Sequence, residues 1–227
     1  MTDDLAARLA AVDARIADAA RDAGRDPGGI TRIVVTKFHP AEVVAELHRL
    51  GVREVGENRQ QELTSKAERL AGLHDLRWHF IGQAQTNKAR AVRAAASVVH
   101  SVDRGRLADA LEAAGGDPLD VLLQVNLTDD PGRGGVEPAG VERLAAHVLG
   151  RCPTLRLRGL MAVAPLDEEP ARAFGRLAGY AAGLRRVAPE ATWISAGMTG
   201  DFAEAIAAGA THLRIGSAIT GPRPERG

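Results

Sequence analysis

The stretch TRIVVTKFHPAEVVAELHRLGVREVGENRQQE, residues 31 to 62, holds the unit from which the rest of the chain is built. Its first six residues, 31 to 36, form an apolar run of strand length, and AEVVAELHRLG after it reads as a helix. VREVGE is a second strand, followed by a polar helix from Asn58 to about Leu70. Downstream the alternation continues. RWHFIG leads to TNKARAVRAAA, SVVHSV to RLADALEAAG, DVLLQVNL to VERLAAHVLG and LRLRGLMAV to ARAFGRLAGYAAGLRRV. ATWISAG leads to DFAEAIAAG, and THLRIG to the short final turn AITGPR. Upstream lies one amphipathic helix, MTDDLAARLAAVDARIADAARDAG, so eight strand-then-helix units are preceded by an extra helix.

Near-continuous apolar strands separated by helices imply a parallel sheet covered on both faces. Eight units fit a closed barrel better than an open doubly wound sheet, which would want GxGxxG after the first strand where this chain has VVTKFHP. The expected fold is therefore α/β, a single (β/α)8 barrel of the TIM type with an extra N-terminal helix. Loops are short and the composition does not break anywhere, so residues 1 to 227 are expected to form one domain.

Lys and Arg together number 29, as do Asp and Glu, which removes the net positive field that nucleic-acid or anionic-membrane partners usually need. Cys152 is the sole cysteine, so neither an intrachain disulfide nor a metal–thiolate cluster can form, and no metal is expected. The N-terminal segment is charged every few positions and reads as neither a signal peptide nor a membrane span, which gives the cytoplasm as the expected location. Of the 29 basic residues only Lys37, Lys66 and Lys88 are lysines, which marks them as places where an amine could be needed rather than a charge.

In such a barrel the site forms at the C-terminal ends of the strands. Lys37 closes the first strand, and alternation puts it on the side of Ile33 and Val35, the inward candidates. Partial desolvation favours a neutral amine, the nucleophile a Schiff base needs, and arginine cannot supply it. The plain alternative is a rim lysine reaching solvent. Glu57 and Asn58 follow the second strand, His79 lies in the third, Gln124 and Asn126 share a side of the fifth, and Met161 ends the sixth. Asn58 could equally cap a helix, His79 be a satisfied core histidine and Met161 mere packing. The last two units read as an anion site: ISAGMTGD opens a helix near Thr199, and Gly216 and Ser217 follow the eighth strand with backbone N–H groups and a hydroxyl. Arg214, inward with His212, can reach the ring or carboxylate of a phosphorylated ligand, or else pair with a rim carboxylate.

VVTKFHP, GEN followed by QE, WHFIGQAQTNK, HSVD, LLQVNL, RGLMAVAP, SAGMTGDFAEAI and RIGSAITG run in order along about seven of the strands. In these motifs the chain resembles the pyridoxal phosphate homeostasis proteins, which look like the barrel domain of alanine racemase standing alone. The resemblance implies pyridoxal 5'-phosphate (PLP) bound as a Schiff base on Lys37, with Arg214 facing the pyridine nitrogen. It implies that Thr199, Gly216 and Ser217 hold the phosphate and Asn58 lies beside the cofactor; His79 and Met161 complete the expected set. An arginine at the pyridine nitrogen would keep it unprotonated and weaken the ring as an electron sink. The chain departs from the family pattern at Ala196, Thr199, Ser217 and Thr220, where methionine, serine, threonine and phenylalanine are usual. The loop TDDPGRGG lacks the glutamate and lysine usual before its glycine.

The expected function is storage, buffering or transfer of PLP in a monomer without robust catalysis, with no catalytic residue assigned and apo forms of PLP enzymes as recipients. An amino-acid racemase is the rival. It would need a second base opposite the lysine, and the sole tyrosine, Tyr180, falls inside the long helix after the sixth strand. A Schiff-base aldolase acting on a sugar phosphate is a third reading.

Overall fold

The computed structural model describes residues 2–130 and 132–223. Helix α1 (Thr2–Asp22) precedes β1 (Thr31–Val35), α2 (Ala41–Arg49), β2 (Glu54–Glu57), α3 (Gln60–Arg69), β3 (Arg77–Phe80), α4 (Ala89–Ala95) and β4 (Val98–Val102). Then come α5 (Gly105–Ala113), β5 (Leu119–Gln124), α6 (Val141–Arg151), β6 (Leu155–Met161), α7 (Pro170–Val187), β7 (Trp193–Ser195), α8 (Phe202–Ala207), β8 (His212–Ile215) and α9 (Ser217–Thr220). The strands pair in chain order and β8 returns to β1, which closes the expected eight-stranded barrel.

Every neighbouring pair is parallel, as right-handed strand–helix–strand connections require. The alternation along each strand then sorts residues between two cores. Outward residues such as Val34, Val55, Val99 and Leu123 join Leu47, Leu63, Leu107, Val148 and Leu177 of the helices in one continuous apolar layer. Inside the barrel the apolar content is small: Val98, Leu122 and Met161 cluster with Trp193 against them. Much of the remaining interior is polar, and that polarity shapes the site.

Leu5, Leu9, Val12, Ile16 and Ala20 recur three and four residues apart and form the buried stripe of α1. Each buried leucine or isoleucine there is worth about 2 kcal/mol. The helix lies on α8 and α9, where Arg8 Nε donates to the Ile219 carbonyl at 2.7 Å. Just beyond α1, Arg25 Nη1 donates to the carbonyls of Ile206 and Ala210 at 2.7 and 2.6 Å. The extra helix thus clamps the last two units of the barrel. No described helix is long and apolar enough to cross a membrane.

Candidate functional site

Lys37 stands two residues beyond the end of β1, on a turn held from beneath. Thr36 is buried, and its N–H donates to the Gly56 carbonyl of β2 at 3.0 Å. Lys66 of α3 reaches up from below. Its Nζ donates to the Thr36 carbonyl at 2.9 Å and to Glu57 Oε1 at 2.6 Å, and Thr36 Oγ1 donates to the same oxygen at 2.6 Å. The Phe38 N–H donates to Glu62 Oε2 at 2.8 Å. Phe38 has φ 69°, the only positive φ outside glycine among the described residues, a conformation costing about 1 kcal/mol or more that the surrounding bonds must hold. Burial pushes the Glu57 carboxyl above its usual range, outweighing the hydrogen bonds from Lys66 and Thr36 that act the other way.

Fixed in this way, Lys37 is not the inward, partly desolvated end of the strand that alternation suggests: β1 stops at Val35, and the lysine stands exposed on the turn beyond it. Among the described residues no hydrogen bond or ion pair engages its ammonium, which lies 5.9 Å from the centroid of the Phe38 ring. The strand ends on either side of β1 carry further expected residues. Gly216 follows β8, where an added Cβ would meet Val35 at 3.6 Å, and β8 pairs with β1, so the exposed Ser217 and the Lys37 turn rise from adjacent strands. Thr199 is half-buried in the turn before α8, which begins at Phe202, three residues later than the sequence suggested. Asn58, half-buried after β2, is not the helix cap: that position is Arg59. Its amide oxygen is buried without a hydrogen-bond partner among the described residues. The expected residues Met161, Thr199, Arg214, Gly216, Ser217, Lys37 and Asn58 thus come from five consecutive staves, β6, β7, β8, β1 and β2.

Met161 is buried and lines a cavity of about 230 Å³ together with Gln83, Gln124, Asn126 and Arg133. Gln124 Nε2 donates to the Gly134 carbonyl at 2.9 Å, and Asn126 bonds to Thr128 and Asp130, so both fasten the loop after β5. Lys88 lines a second cavity of about 180 Å³ with Asn58 and Gln83. Tyr180 is half-buried against the outer apolar layer, on the helix side of the barrel.

His79 and Arg214 belong to the interior. His79 is fully buried, with both ring nitrogens occupied: Nε2 by Glu54 Oε2 at 2.5 Å, and Nδ1 by His100 Nε2 at 2.8 Å. It is the satisfied core histidine of the plain reading, and it leads toward Arg214 through other side chains. His100 Nδ1 lies 2.9 Å from Ser195 Oγ, across the barrel from β4 to β7, and Arg214 Nη1 donates to that oxygen at 2.7 Å. Arg214 Nη2 donates to the Ala162 carbonyl at 2.8 Å, and no carboxylate among the described residues pairs with this buried guanidinium. Burial lowers Arg214 to about 10, and the more distant Asp201 only partly counters it. The expected alternative of a rim salt bridge is not what holds it. Ser195, His100, Glu54 and Lys66 were not singled out for these bonds from the sequence. Alternation marks the first two as inward, but only the strand register shows that they meet.

Such geometry is that of a (β/α)8 barrel that presents an unengaged lysine side chain at its C-terminal mouth. The chain belongs to the alanine racemase N-terminal domain family, whose model matches residues 8–224. It is 40% identical over 244 residues to the pyridoxal phosphate homeostasis protein of Mycobacterium tuberculosis H37Rv, covering 97% of this chain and 93% of that one. Against the protein of the same name from Escherichia coli K12 the identity is 41% over 229 residues, with 97% of each covered. Among solved structures, PipY of Synechococcus elongatus with PLP bound superposes with a TM-score of 0.83 at 34% identity, over 96% of this chain and 100% of that one. Alanine racemase from Corynebacterium glutamicum, at 16% identity and a TM-score of 0.69, shares the fold over 62% of its own length.

Proposed function

We propose that the chain holds PLP as a Schiff base on Lys37 and serves intracellular PLP homeostasis by storing, buffering or handing on the cofactor. The observation that carries this reading is the Lys37 amine, unengaged by the described residues on a turn that Lys66, Glu57 and Glu62 fix. The residues around it fit the group. The unpartnered Asn58 oxygen can accept a hydrogen bond, the Gly216 and Ser217 backbone and hydroxyl suit a phosphate, and Arg214 uses only two of the five N–H donors of a guanidinium on protein atoms. PLP supplies an aldehyde for the lysine and a conjugated ring that absorbs electrons. The relatives named for PLP homeostasis, and PipY with PLP bound, support the assignment.

The reading extends to a monomer in the cytoplasm, with apo forms of PLP enzymes as recipients and no nucleic-acid or membrane partner; equal numbers of acidic and basic residues support the last point. It also extends to the absence of robust turnover. Racemisation needs a base within roughly 3 Å of the substrate α-carbon hydrogen on each face. Lys37 serves one face only, and Tyr180 sits in the outer layer.

Purified protein incubated with PLP is expected to turn yellow, to give an adduct that borohydride reduces irreversibly, and to lose both properties in Lys37→Ala with its fold intact. An adduct surviving in Lys37→Ala would overturn the assignment. Deuterium exchange at Cα and chiral analysis of L-alanine are expected to show racemisation at trace level. Steady turnover that scales with protein concentration and disappears in Lys37→Ala would make the chain an enzyme.

A further inference from the structure

Five side chains from five strands connect the two ends of the barrel, and with both histidines neutral the bonding capacity of each group sets the direction of every link. Glu54 opens β2 at the N-terminal end, and as a carboxylate it only accepts. His79 Nε2 must therefore carry the proton it shares with Glu54 Oε2. Burial, opposed by the Glu54 bond, lowers the His79 pKa, so the ring is neutral and its Nδ1 accepts from His100 Nε2. Burial depresses His100 further, so its Nδ1 has a lone pair for the Ser195 hydroxyl hydrogen. The Ser195 oxygen in turn accepts from Arg214 Nη1. No link is left with two donors or two acceptors. All four bonds point from the guanidinium toward the carboxylate, which lets each polarise the next.

We propose that Glu54, His79, His100 and Ser195 form a one-way hydrogen-bond chain that couples the Glu54 carboxylate to Arg214 across the barrel by polarisation. They are thus positioning residues for the contact Arg214 makes at the mouth. The proposal rests on the reading that Arg214 faces the pyridine nitrogen of PLP. It accounts for a guanidinium buried without a carboxylate beside it: its counter-charge lies at the far end of the chain. The other charged groups that face the chain are Arg77, 3.4 Å from Glu54, with Asp120 and His212 beside the histidines, and Asp201 nearest Arg214. Burial holds His212 neutral, leaving Glu54 and Asp120 as the acids at that end, and Asp120 is shared by Arg77, Arg156 and Arg158.

Two measurements test the chain. In the protein without added PLP, nitrogen-15 NMR of the imidazoles is expected to show His79 and His100 neutral and protonated on Nε2 at neutral pH. An Nδ1–H tautomer or an imidazolium at either would overturn the proposal. In the PLP-loaded protein, Glu54→Gln keeps an acceptor but removes the charge, so Arg214 acts with less compensation and destabilises the cationic Schiff base. The pH midpoint of its absorbance change is expected to fall by several tenths of a unit. In a Ser195→Ala background, where the chain is cut without touching Glu54, the same substitution is expected to leave the midpoint unmoved. A midpoint that Glu54→Gln does not shift, or shifts equally in both backgrounds, would reduce the four residues to core packing. Failure of the wild-type protein to form any reducible adduct would instead sink the PLP reading. Should a variant not fold, the tautomer measurement on the wild-type protein decides alone.

Discussion

Lys66 lies in SKAERL, a context indistinguishable from a surface helix, yet its side chain is 7% exposed and its partner Glu57 is fully buried. The scarcity of lysines flagged it together with Lys37 and Lys88, but composition could not say that Lys66 supports the turn carrying Lys37. Removing one member of a buried pair leaves the other charged and unsolvated, which typically costs about 3 kcal/mol or more. Lys66→Met is accordingly expected to destabilise the protein by about 3 kcal/mol, since Glu57 Oε1 and the Thr36 carbonyl both lose their ammonium donor. Lys66→Arg should not rescue it, because a planar fork cannot replace a compact ammonium between two acceptors at that depth. Urea unfolding checks both variants. A loss below about 0.5 kcal/mol for Lys66→Met would mean that the pair behaves as an exposed one.

Strands β2 and β3 meet at their C-terminal ends through Gly82, where an added Cβ would lie 1.9 Å from the Asn58 carbonyl oxygen and 2.6 Å from its carbon. No rotamer change relieves a clash with backbone, so Gly82→Ala must push the two loops apart. It is expected to destabilise by about 1–3 kcal/mol and to weaken PLP retention by displacing Asn58. Unchanged retention, measured by dialysis of the loaded protein, would separate Asn58 from the cofactor. The closed barrel and the order of its strands were legible because every strand is an apolar run followed by a helix, from TRIVVT to THLRIG. Their ends were less so: β7 is only Trp193–Ser195 where ATWISAG read as strand throughout, and Asn58 lies outside α3. Lys37, Thr199 and Gly216 were legible as residues at strand ends, although Lys37 read as the last residue of β1 and Thr199 as the opening of a helix, and both lie in turns. The Glu54–His79–His100–Ser195 connection was not, because its links cross the barrel and depend on register, which no local pattern encodes.

At the scale of the molecule, a polar barrel interior makes stability a function of acidity. Burial holds His79, His100 and His212 below the ordinary imidazole range, His212 at about 3. In the unfolded chain these rings take up protons near pH 6.5, whereas in the folded barrel they do not, so the unfolded state binds more protons as pH falls below neutrality. Stability contributed by the neutral rings is therefore complete above the unfolded value and is lost as pH falls toward the folded values. A histidine that stays neutral in the folded barrel, as His212 does down to about pH 3, gives a slope of about 1.4 kcal/mol per pH unit, and the depressed His79 and His100 add to it in the same direction. Glu54, whose carboxyl is raised by burial but lowered further by the His79 bond and nearby positive charges, adds to the loss below the carboxylate range. Glu57 acts oppositely: with its folded pKa raised, its stabilisation is present at low pH and declines as pH rises through that value. One group against three does not reverse the sign. Since a domain has about 5–15 kcal/mol in total, the protein is expected to lose a substantial part of its stability as pH falls below about 6. His212→Gln, which leaves the Glu54-to-Arg214 chain intact, should reduce the slope by about one proton's share. Urea midpoints measured from neutrality down to about pH 5 check this; midpoints that stay constant over that range would mean that the interior histidines are protonated in the folded barrel, and the direction of the hydrogen-bond chain would fail with them.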